Sequence, residues 1–336
     1  MAWQNPWYDP SKAHHTPEGF RNLEPDLRQP GDLERWRKAR KAQGLPFPPQ
    51  AGYADFTARW WQPADLTGEE DRVWWLGHAA MLLRIGQRYL LIDPALSQRA
   101  SPLPFAGPER KSPSPLSIQQ LPRLDYVLIS HNHYDHLDFA TVKRIMRRFP
   151  QATFIVPLGL QPWFARRGAR HIVQLDWWQT WQHDALQITA VPARHWSMRS
   201  LYDRNRSLWS GFVIRSAALN FWFSGDSGYS DNLAEIPRRL GPFNLAALPV
   251  GAYAPKWFMA SSHMDPDHAV ALWRLMDCPL TIPIHWGVFE LADESLDEPP
   301  AELSRVLQQS GVNNGRFAPW KIGEGRSLAN LTQEKS

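Results

Sequence analysis

The chain has 336 residues, of which 43% are hydrophobic and 21% are charged, and its formal net charge is +4. This is the balance of an ordinary globular protein that is long enough to bury a sizeable core. The small charge tolerates an anionic partner without requiring one, and the single cysteine excludes intrachain disulfides and thiolate-rich zinc sites.

The first 70 residues are rich in proline, arginine and polar residues, and they predict an irregular extension that packs on the domain that follows. One helix is expected in this extension, over residues 31–43. His14 and His15 lie in its polar part and are assigned no role. The N-terminus has no apolar region typical of a signal peptide, and no apolar run is long enough to span a membrane. We therefore expect a soluble, cytoplasmic protein.

Strands and helices alternate from Arg72 onwards. The runs RVWWLGH, AMLLRIG and RYLLIDP predict consecutive strands, and the proline-rich residues 101–122 predict a long surface loop. The apolar strand DYVLIS ends at the cluster SHNHYDHLD, and Asp138 is the expected N-cap of the next helix, FATVKRIMRRF. Further strands are TFIVP, HIVQL, LQITAVPA, LWSGFVIRS, LNFWFSGD and LAALPV, with helices at 231–240, 266–276 and 300–309. One α/β domain of layered sheets is therefore expected over residues 71–330.

Tryptophan is unusually frequent, with 18 residues, several of them adjacent in the chain. Tryptophan favours boundaries between apolar and wet surroundings, so a lipid surface is one interpretation. We favour the core or a subunit interface, because tryptophan is large and mostly buried. The single cysteine, Cys278, is expected to be a small buried apolar residue.

The stretch SHNHYDHLD packs three histidines and two aspartates into nine residues. Alternate side chains of an extended loop share one direction, which groups His131 with His133, while Asp135 and His136 follow at the turn into the helix. A catalytic zinc usually has three protein ligands, so these four residues are too few for two metal sites. Further candidate ligands end other apolar strands: His195, Asp226 and His285. Histidine and aspartate without cysteine suit zinc, manganese or iron.

These motifs resemble the metallo-β-lactamase fold superfamily, whose pattern is His-x-His-x-Asp-His followed by a His, an Asp and a His. WLGHA, SHNHYDHLD, PARHW, GDSGY, GAYAPKWFM and IHWG resemble more closely the N-acyl-phosphatidylethanolamine-hydrolysing phospholipase D family and its bacterial relatives. The resemblance implies an αββα sandwich with its site at the strand ends. It also implies two zinc ions, the first held by His131, His133 and His195, the second by Asp135, His136 and His285, with Asp226 bridging.

Two ions about 3.5–4 Å apart lower the pKa of a shared water and neutralise charge on a phosphodiester. We expect in-line attack on phosphorus, with Asp226, Asp135 and His263 as the catalytic residues. The resemblance places His263 near the substrate, where it binds phosphate or protonates the leaving oxygen; a surface-loop histidine is the alternative. His78 and Asp93 are expected to hydrogen-bond to the metal ligands.

A basic run follows His195, and the guanidinium fork of arginine suits phosphate recognition. For each arginine the alternative is pairing with Asp203 or simple solvation. The four residues are Arg194, Arg199, Arg204 and Arg206. His268 is expected to be exposed.

The resemblance implies hydrolysis of N-acyl-phosphatidylethanolamine to an N-acylethanolamine and phosphatidic acid. One alternative is a metal-dependent hydrolase of a soluble ester, such as a lactone or a small phosphodiester. A closed polar pocket would favour that alternative, whereas an apolar channel to the surface would favour the lipid. A second alternative is a non-catalytic peripheral membrane or scaffold protein that retains the metal site. We expect no nucleic-acid partner, and we expect any membrane contact to be peripheral. The resemblance is compatible with a homodimer.

Overall fold

The computed structural model describes residues 3–312 and 315–329, so residues 1–2 of the expected extension and residues 313, 314 and 330 of the expected domain lie outside it. The N-terminal part contains two short strands, β1 (His15–Thr16) and β2 (Gly19–Phe20), and two helices, α1 (Asp32–Gln43) and α2 (Gly52–Trp60). Helix α1 agrees with the expected one. Helix α2 was not predicted, because its apolar stripe is weak and it buries only Phe56. The domain boundary at residue 70 stays a prediction.

The first sheet combines antiparallel hairpins with parallel strands. Its elements in chain order are β3 (Arg72–Trp75), β4 (Met81–Ile85), β5 (Arg88–Ile92), β6 (Tyr126–Leu128), α3 (Phe139–Arg148), β7 (Thr153–Pro157), α4 (Gln161–Ala165) and β8 (His171–Leu175). Strands β3 to β5 pair antiparallel, and β5 to β8 pair parallel. Parallel strands in such sheets are covered on both faces, which explains why these runs are almost continuously apolar.

The second sheet and its helices contain ten elements in chain order: β9 (Thr180–His183), β10 (Leu186–Val191), β11 (Gly211–Arg215), β12 (Asn220–Phe223), α5 (Glu235–Leu240), β13 (Leu245–Pro249), α6 (Lys256–Met259), α7 (Pro266–Leu275), β14 (Leu280–Ile284) and α8 (Glu298–Gln309). The strand order in this sheet is β14-β13-β12-β11-β10-β9. A last strand, β15 (Gly325–Ser327), pairs antiparallel with β3 and completes a seven-stranded first sheet. The helix expected over 231–240 begins as a 3-10 turn at Asp231–Ala234.

Alternation along the strands divides the interior into layers. Val73 and Trp75 of β3 pack in the core between the two sheets, whereas Trp74 packs with Val142 and Ile145 of α3 on the outer face of the first sheet. Six tryptophans are fully buried, as expected for a core role: Trp74, Trp75, Trp209, Trp222, Trp273 and Trp320. The expected α/β class and αββα sandwich are confirmed.

Three local features complete the comparison with the sequence. Residues 101–122 form the expected irregular loop, with one 3-10 turn at Ile118–Gln120. The expectation that Cys278 is buried is wrong: the residue is half-buried, since the chain after α7 turns through left-handed backbone at Asp277 and Cys278. Within the described part of the chain, no helix is both long and apolar enough to cross a bilayer.

Candidate metal centre

The candidate ligands lie where strands of both sheets end. His131 to His136 follow β6 in the first sheet, and His195, Asp226 and His285 follow β10, β12 and β14 in the second. Helix α3 begins directly after the histidine cluster, where the Asp138 side chain accepts a hydrogen bond from the Ala140 N–H at 3.0 Å. The fold therefore brings all seven residues to one edge of the sandwich.

Three imidazole nitrogens form a first donor group. His133 Nδ1 lies 2.8 Å from His131 Nε2 and 3.1 Å from His195 Nε2. Burial lowers the pKa of His133 to about 4 and that of His195 to about 3, and it holds the pKa of His131 well below its ordinary value. The three rings are therefore neutral near pH 7, the form in which imidazole binds a metal ion.

A second donor group contains Asp135, His136 and His285. Asp135 Oδ2 lies 3.3 Å from His136 Nε2 and 3.5 Å from His285 Nε2. Burial opposes a charge on His285, but the carboxylates of Asp226 and Asp135 outweigh it and raise the pKa of His285 to about 9. Burial likewise opposes ionisation of Asp135, but the charge of His136 outweighs it and lowers the pKa of this carboxyl far below its ordinary value. A metal ion here would compete with protons for the imidazoles.

Asp226 lies between the two donor groups. Its Oδ2 is 2.9 Å from His285 Nε2 and 3.1 Å from His136 Nε2, and it is 3.8 Å from His131 Nε2 and 3.7 Å from His195 Nε2. Burial opposes its ionisation, but the charges of His136 and His285 hold its pKa well below the ordinary value. One carboxylate thus faces members of both groups.

The donor atoms fit a divalent cation. His133 Nε2 and Asp226 Oδ1 are deeply buried and have no hydrogen-bond partner among the described residues, and the Nε2 atoms of His136 and His285 face only the carboxylates of Asp135 and Asp226. Leaving such atoms unpaired costs free energy, and coordination would satisfy those that face the cavity. Groups of these histidines and aspartates lie close enough to hold a metal ion. The set contains nitrogen and oxygen donors only, which suits zinc, manganese or iron.

Neighbouring groups fix the orientation of the rings. Asp93 Oδ2 lies 2.7 Å from His136 Nδ1, and Asp93 Oδ1 accepts the Ser130 N–H at 2.7 Å. His195 Nδ1 lies 2.9 Å from the carbonyl oxygen of Ser262. His78 Nε2 lies 2.8 Å from Asp135 Oδ2. Asp93 and His78 therefore contact candidate ligands as the sequence predicts, and such contacts tune the ligands of metal sites.

His263 lies beside the donor groups, with its Nδ1 3.9 Å from Asp226 Oδ2. Its ring is 5.0 Å from that of His285 and 5.1 Å from that of His195. Burial holds the pKa of His263 well below its ordinary value. His268, by contrast, is exposed and pairs with Asp265.

The N-terminal extension reaches this centre, which the sequence did not predict. The Asn22 side chain donates from Nδ2 to the His195 carbonyl oxygen at 2.8 Å and accepts the His195 N–H at Oδ1, at 3.1 Å. Its Oδ1 also accepts the Trp209 indole N–H at 3.2 Å. One amide thus binds both backbone groups of a candidate ligand. A lone asparagine in a polar segment gives no signal of such a contact.

A buried charge cluster fixes the start of the extension on the domain. Asp176 accepts a hydrogen bond from Lys12 Nζ at 2.6 Å, and it lies 2.7 Å from His14 Nε2 and 3.1 Å from His15 Nε2. Asp176 is fully buried. The expectation that His14 and His15 have no role is therefore wrong: they help to attach the extension. The positions are about 160 residues apart in the chain, so one sequence gives no sign that they meet.

A groove of about 490 Å³ opens from His263 to the surface. Its walls include the apolar side chains of Trp36, Trp196, Phe258 and Met259, and residues 26–33 of the extension form one side. Leu33 also lines the groove and is 46% exposed, and charged or polar side chains complete the lining: Asp26, Arg28, Gln29, Asp32 and Arg204. The groove is therefore an open channel whose walls combine apolar and charged side chains, not a closed polar pocket.

Only one of the four arginines near His195 in the sequence lines this groove. Arg204 does so, with its Nη2 3.9 Å from Asp26 Oδ2. The others bind backbone oxygens or a ring: Arg194 contacts Tyr229 and Pro25, Arg199 contacts Asn132 and Leu137, and Arg206 lies over Trp3. The alternative that these side chains pair with Asp203 is wrong, because the Asp203 carboxylate accepts hydrogen bonds from the backbone N–H groups of Arg199 and Ser200.

Comparisons with known proteins identify the family of this chain. The family model described as "Beta-lactamase superfamily domain" matches residues 88–286. The chain is 39% identical over 262 residues to "N-acyl-phosphatidylethanolamine-hydrolyzing phospholipase D 1" of Caenorhabditis elegans, a match that covers 74% of each protein. It is 31% identical over 252 residues to the mitochondrial N-acyl-phosphatidylethanolamine-hydrolyzing phospholipase D of Saccharomyces cerevisiae, covering 73% of this chain and 53% of the yeast protein.

Solved structures show the same fold at low identity. A metallo hydrolase from the archaeon Ignicoccus hospitalis aligns with a TM-score of 0.58 at 21% identity, covering 76% of this chain and 97% of that protein. The chain therefore belongs to the metallo-β-lactamase superfamily and is a homologue of the N-acyl-phosphatidylethanolamine-hydrolysing phospholipases D.

Proposed function

We propose that this metal-dependent hydrolase cleaves the phosphodiester of N-acyl-phosphatidylethanolamine and releases an N-acylethanolamine and phosphatidic acid. The observation that carries the proposal is the position of Asp226, whose carboxylate faces two adjacent groups of buried donor atoms. Two adjacent sites that share one carboxylate are the arrangement used for in-line displacement at phosphorus. The homologues from worm and yeast support the choice of substrate.

Each donor group has a distinct task in this proposal. His131, His133 and His195 would hold one ion, and Asp135, His136 and His285 the other. Asp226 would contact both, and we propose zinc as the metal, with manganese or iron as alternatives. When bound, two such ions supply a water of lowered pKa and neutralise charge on the phosphoryl group. Asp135 and Asp226 are ionised in the folded protein, so they are ready to bind cations.

His263 is proposed to contact the phosphoryl group of the substrate. It lines the groove beside Asp226, so a substrate that reaches the donor groups passes its ring. Burial keeps its pKa well below the ordinary value, so the neutral ring predominates. A neutral imidazole can donate one hydrogen bond to a phosphoryl oxygen, whereas proton transfer to a leaving oxygen needs the protonated form. Phosphate binding is therefore the role that we favour.

The shape of the groove supports a lipid over a soluble ester. Its apolar lining includes Trp36, Phe258 and Leu33, and Leu33 is 46% exposed. Burying an acyl chain against such walls is favourable, at roughly 0.8 kcal/mol for each methylene. A small polar ester would gain little from them.

Product analysis tests the proposal. The zinc-loaded protein is incubated with a phospholipid mixture that includes N-acyl-phosphatidylethanolamine, and the products are identified by mass spectrometry. We expect phosphatidic acid and N-acylethanolamine from the wild type and from Asp184→Asn, a control in which the aspartate is 67% exposed and lies at the β9–β10 turn. Asp226→Asn is expected to form neither product.

Product analysis, together with the number of metal ions bound per chain, decides between the alternative functions. Two bound metal ions without lipid turnover would contradict the substrate and direct attention to soluble phosphodiesters and lactones. A single bound ion without hydrolysis of any ester would contradict the enzyme and favour the non-catalytic interpretation. Near wild-type turnover by Asp226→Asn would contradict the shared-carboxylate scheme.

A further inference from the structure

A second cavity, of about 490 Å³, lies beside the loop that carries the histidine cluster. We call it the cationic cavity. Four arginines and three aromatic residues line it: Arg99, Arg144, Arg167, Arg199, Tyr134, Phe139 and Trp163. No residue lines both this cavity and the groove that opens at His263, so the two are separate.

The positive charge of the cationic cavity is only partly neutralised. Arg99 pairs with Glu109 at 3.3 Å, but Arg144 and Arg167 have no carboxylate partner within the described ranges. Asp138 is the one acidic residue in the lining, and its oxygens already accept hydrogen bonds from Ser97 N, Ala140 N and Thr141 Oγ1. An anion that enters would therefore meet free guanidinium donors.

Aromatic rings hold these guanidinium groups in place. Arg167 lies 4.0 Å from the centre of the Trp163 ring, and Arg199 lies 4.0 Å from the centre of the Tyr134 ring. Burial lowers the pKa of Arg199 to about 10, and the charge of Arg167 adds to this effect, so Arg199 remains protonated at neutral pH. Arginine forks held in this way bind phosphate groups with little loss of side-chain freedom.

The rim of the cationic cavity is apolar and exposed. Leu103 and Phe139 line the cavity with 46% and 44% of their surface exposed, and Phe105, next to the lining residue Pro104, is 77% exposed. Leu201 and Tyr202, which follow Arg199 closely in the chain, are 84% and 79% exposed. Exposed apolar side chains around a cationic centre are typical of surfaces that insert into the headgroup region of a bilayer.

We propose that the cationic cavity binds the headgroup phosphate of an anionic phospholipid in a bilayer. The apolar rim commits the proposal to a lipid, since a soluble phosphate ester would make no use of it. Arg199 would link such binding to the metal centre, because it donates to the carbonyl oxygens of Asn132 and Leu137 at 2.9 and 2.6 Å, on the loop that carries the histidine cluster. The proposal concerns binding alone and does not depend on the hydrolysis proposed above.

Vesicle co-sedimentation of the full chain tests this site. The vesicles contain phosphatidylcholine with or without phosphatidylglycerol, at constant ionic strength. Arg144→Gln/Arg167→Gln removes two exposed charges of the cavity, and the control Lys143→Gln/Arg147→Gln removes two exposed charges of helix α3 that lie outside the cavity. We expect the cavity variant to raise the lipid concentration for half-binding about 30-fold, and the control to raise it less than about fivefold.

Three outcomes would overturn the proposal. Equal binding of the wild type to both kinds of vesicle would exclude an anionic headgroup. Equal weakening by Lys143→Gln/Arg147→Gln and by the cavity variant would indicate diffuse surface attraction without a site. A cavity variant that binds vesicles like the wild type but no longer binds inorganic phosphate would assign the cavity to a soluble phosphate ester. Circular dichroism of both variants confirms that they are folded.

Discussion

The replacement Asn22→Ala tests whether the N-terminal extension positions a metal ligand. The Asn22 amide is bonded to the His195 carbonyl oxygen at 2.8 Å and to the His195 N–H at 3.1 Å. His195 is almost fully buried, so water does not replace these partners freely. Trp209 keeps a second acceptor, the Ala193 carbonyl oxygen at 2.9 Å, and contributes little to the cost.

The cost follows from the two backbone groups that lose their partner. A buried polar group without a partner costs about 1–3 kcal/mol, so the loss of two partners should lower the free energy of unfolding by about 2–6 kcal/mol. The imidazole of His195 would also lose its fixed position. Loss of such supporting contacts typically weakens metal binding about 10–100-fold, and hydrolysis should fall with it.

Urea unfolding and metal titration measure these two effects separately. The matched control is Leu23→Ala, which truncates the exposed neighbour of Asn22 and should change the free energy of unfolding by no more than about 0.5 kcal/mol. If Asn22→Ala unfolded like Leu23→Ala and bound metal like the wild type, the inference that the extension positions His195 would be refuted.

Three further changes have defined outcomes. Asp93→Ala removes the contact to His136 Nδ1 and should weaken metal binding about 10–100-fold in a metal-buffer titration, whereas wild-type affinity would contradict that support. Burial lowers the pKa of His15. Burial opposes ionisation of Asp176, but hydrogen bonds from His14 and Lys12 outweigh it and lower the pKa of this carboxyl. Both groups therefore stabilise the fold at neutral pH, and this stability is lost as the pH falls, below about 6.5 for His15 and below about 3.8 for Asp176. In urea unfolding at different pH values, Asp176→Asn should reduce the loss of unfolding free energy below about pH 3.8. Burial raises the pKa of Glu294 from 4.5 to about 7. The protonated carboxyl therefore stabilises the fold fully below pH 4.5, and about 3 kcal/mol of unfolding free energy is lost as the pH rises through 7. Glu294→Gln should remove this dependence of the unfolding free energy on pH.

The grouping of the candidate ligands could be predicted from the sequence because its signal is local. The histidine cluster, His195, Asp226 and His285 each come shortly after an apolar run, and an apolar run that ends in a turn predicts a strand end. The spacing within SHNHYDHLD then groups four of the seven residues before any tertiary contact is known. Asp93 and His78 could be placed beside them for the same reason, since both also follow strands, β5 and β3.

The contacts of the extension could not be predicted in this way. Asn22 meets His195 across 173 positions, and His14 meets Asp176 across 162, and neither pair has a local pattern. Strand β9 was missed because TWQH is polar and lies at the sheet edge, where little of it is buried. Arg199 was expected at a phosphate or at Asp203, but tertiary packing directs its guanidinium to the carbonyl oxygens of the histidine loop.

Hydrolysis in water enriched in oxygen-18 tests the central claim most directly, namely that this centre attacks phosphorus. The zinc-loaded protein is supplied with N-acyl-phosphatidylethanolamine, and both products are analysed by mass spectrometry. Attack on phosphorus places the label in phosphatidic acid and leaves the N-acylethanolamine unlabelled. Label in the N-acylethanolamine, or release of a fatty acid in place of these products, would contradict the account.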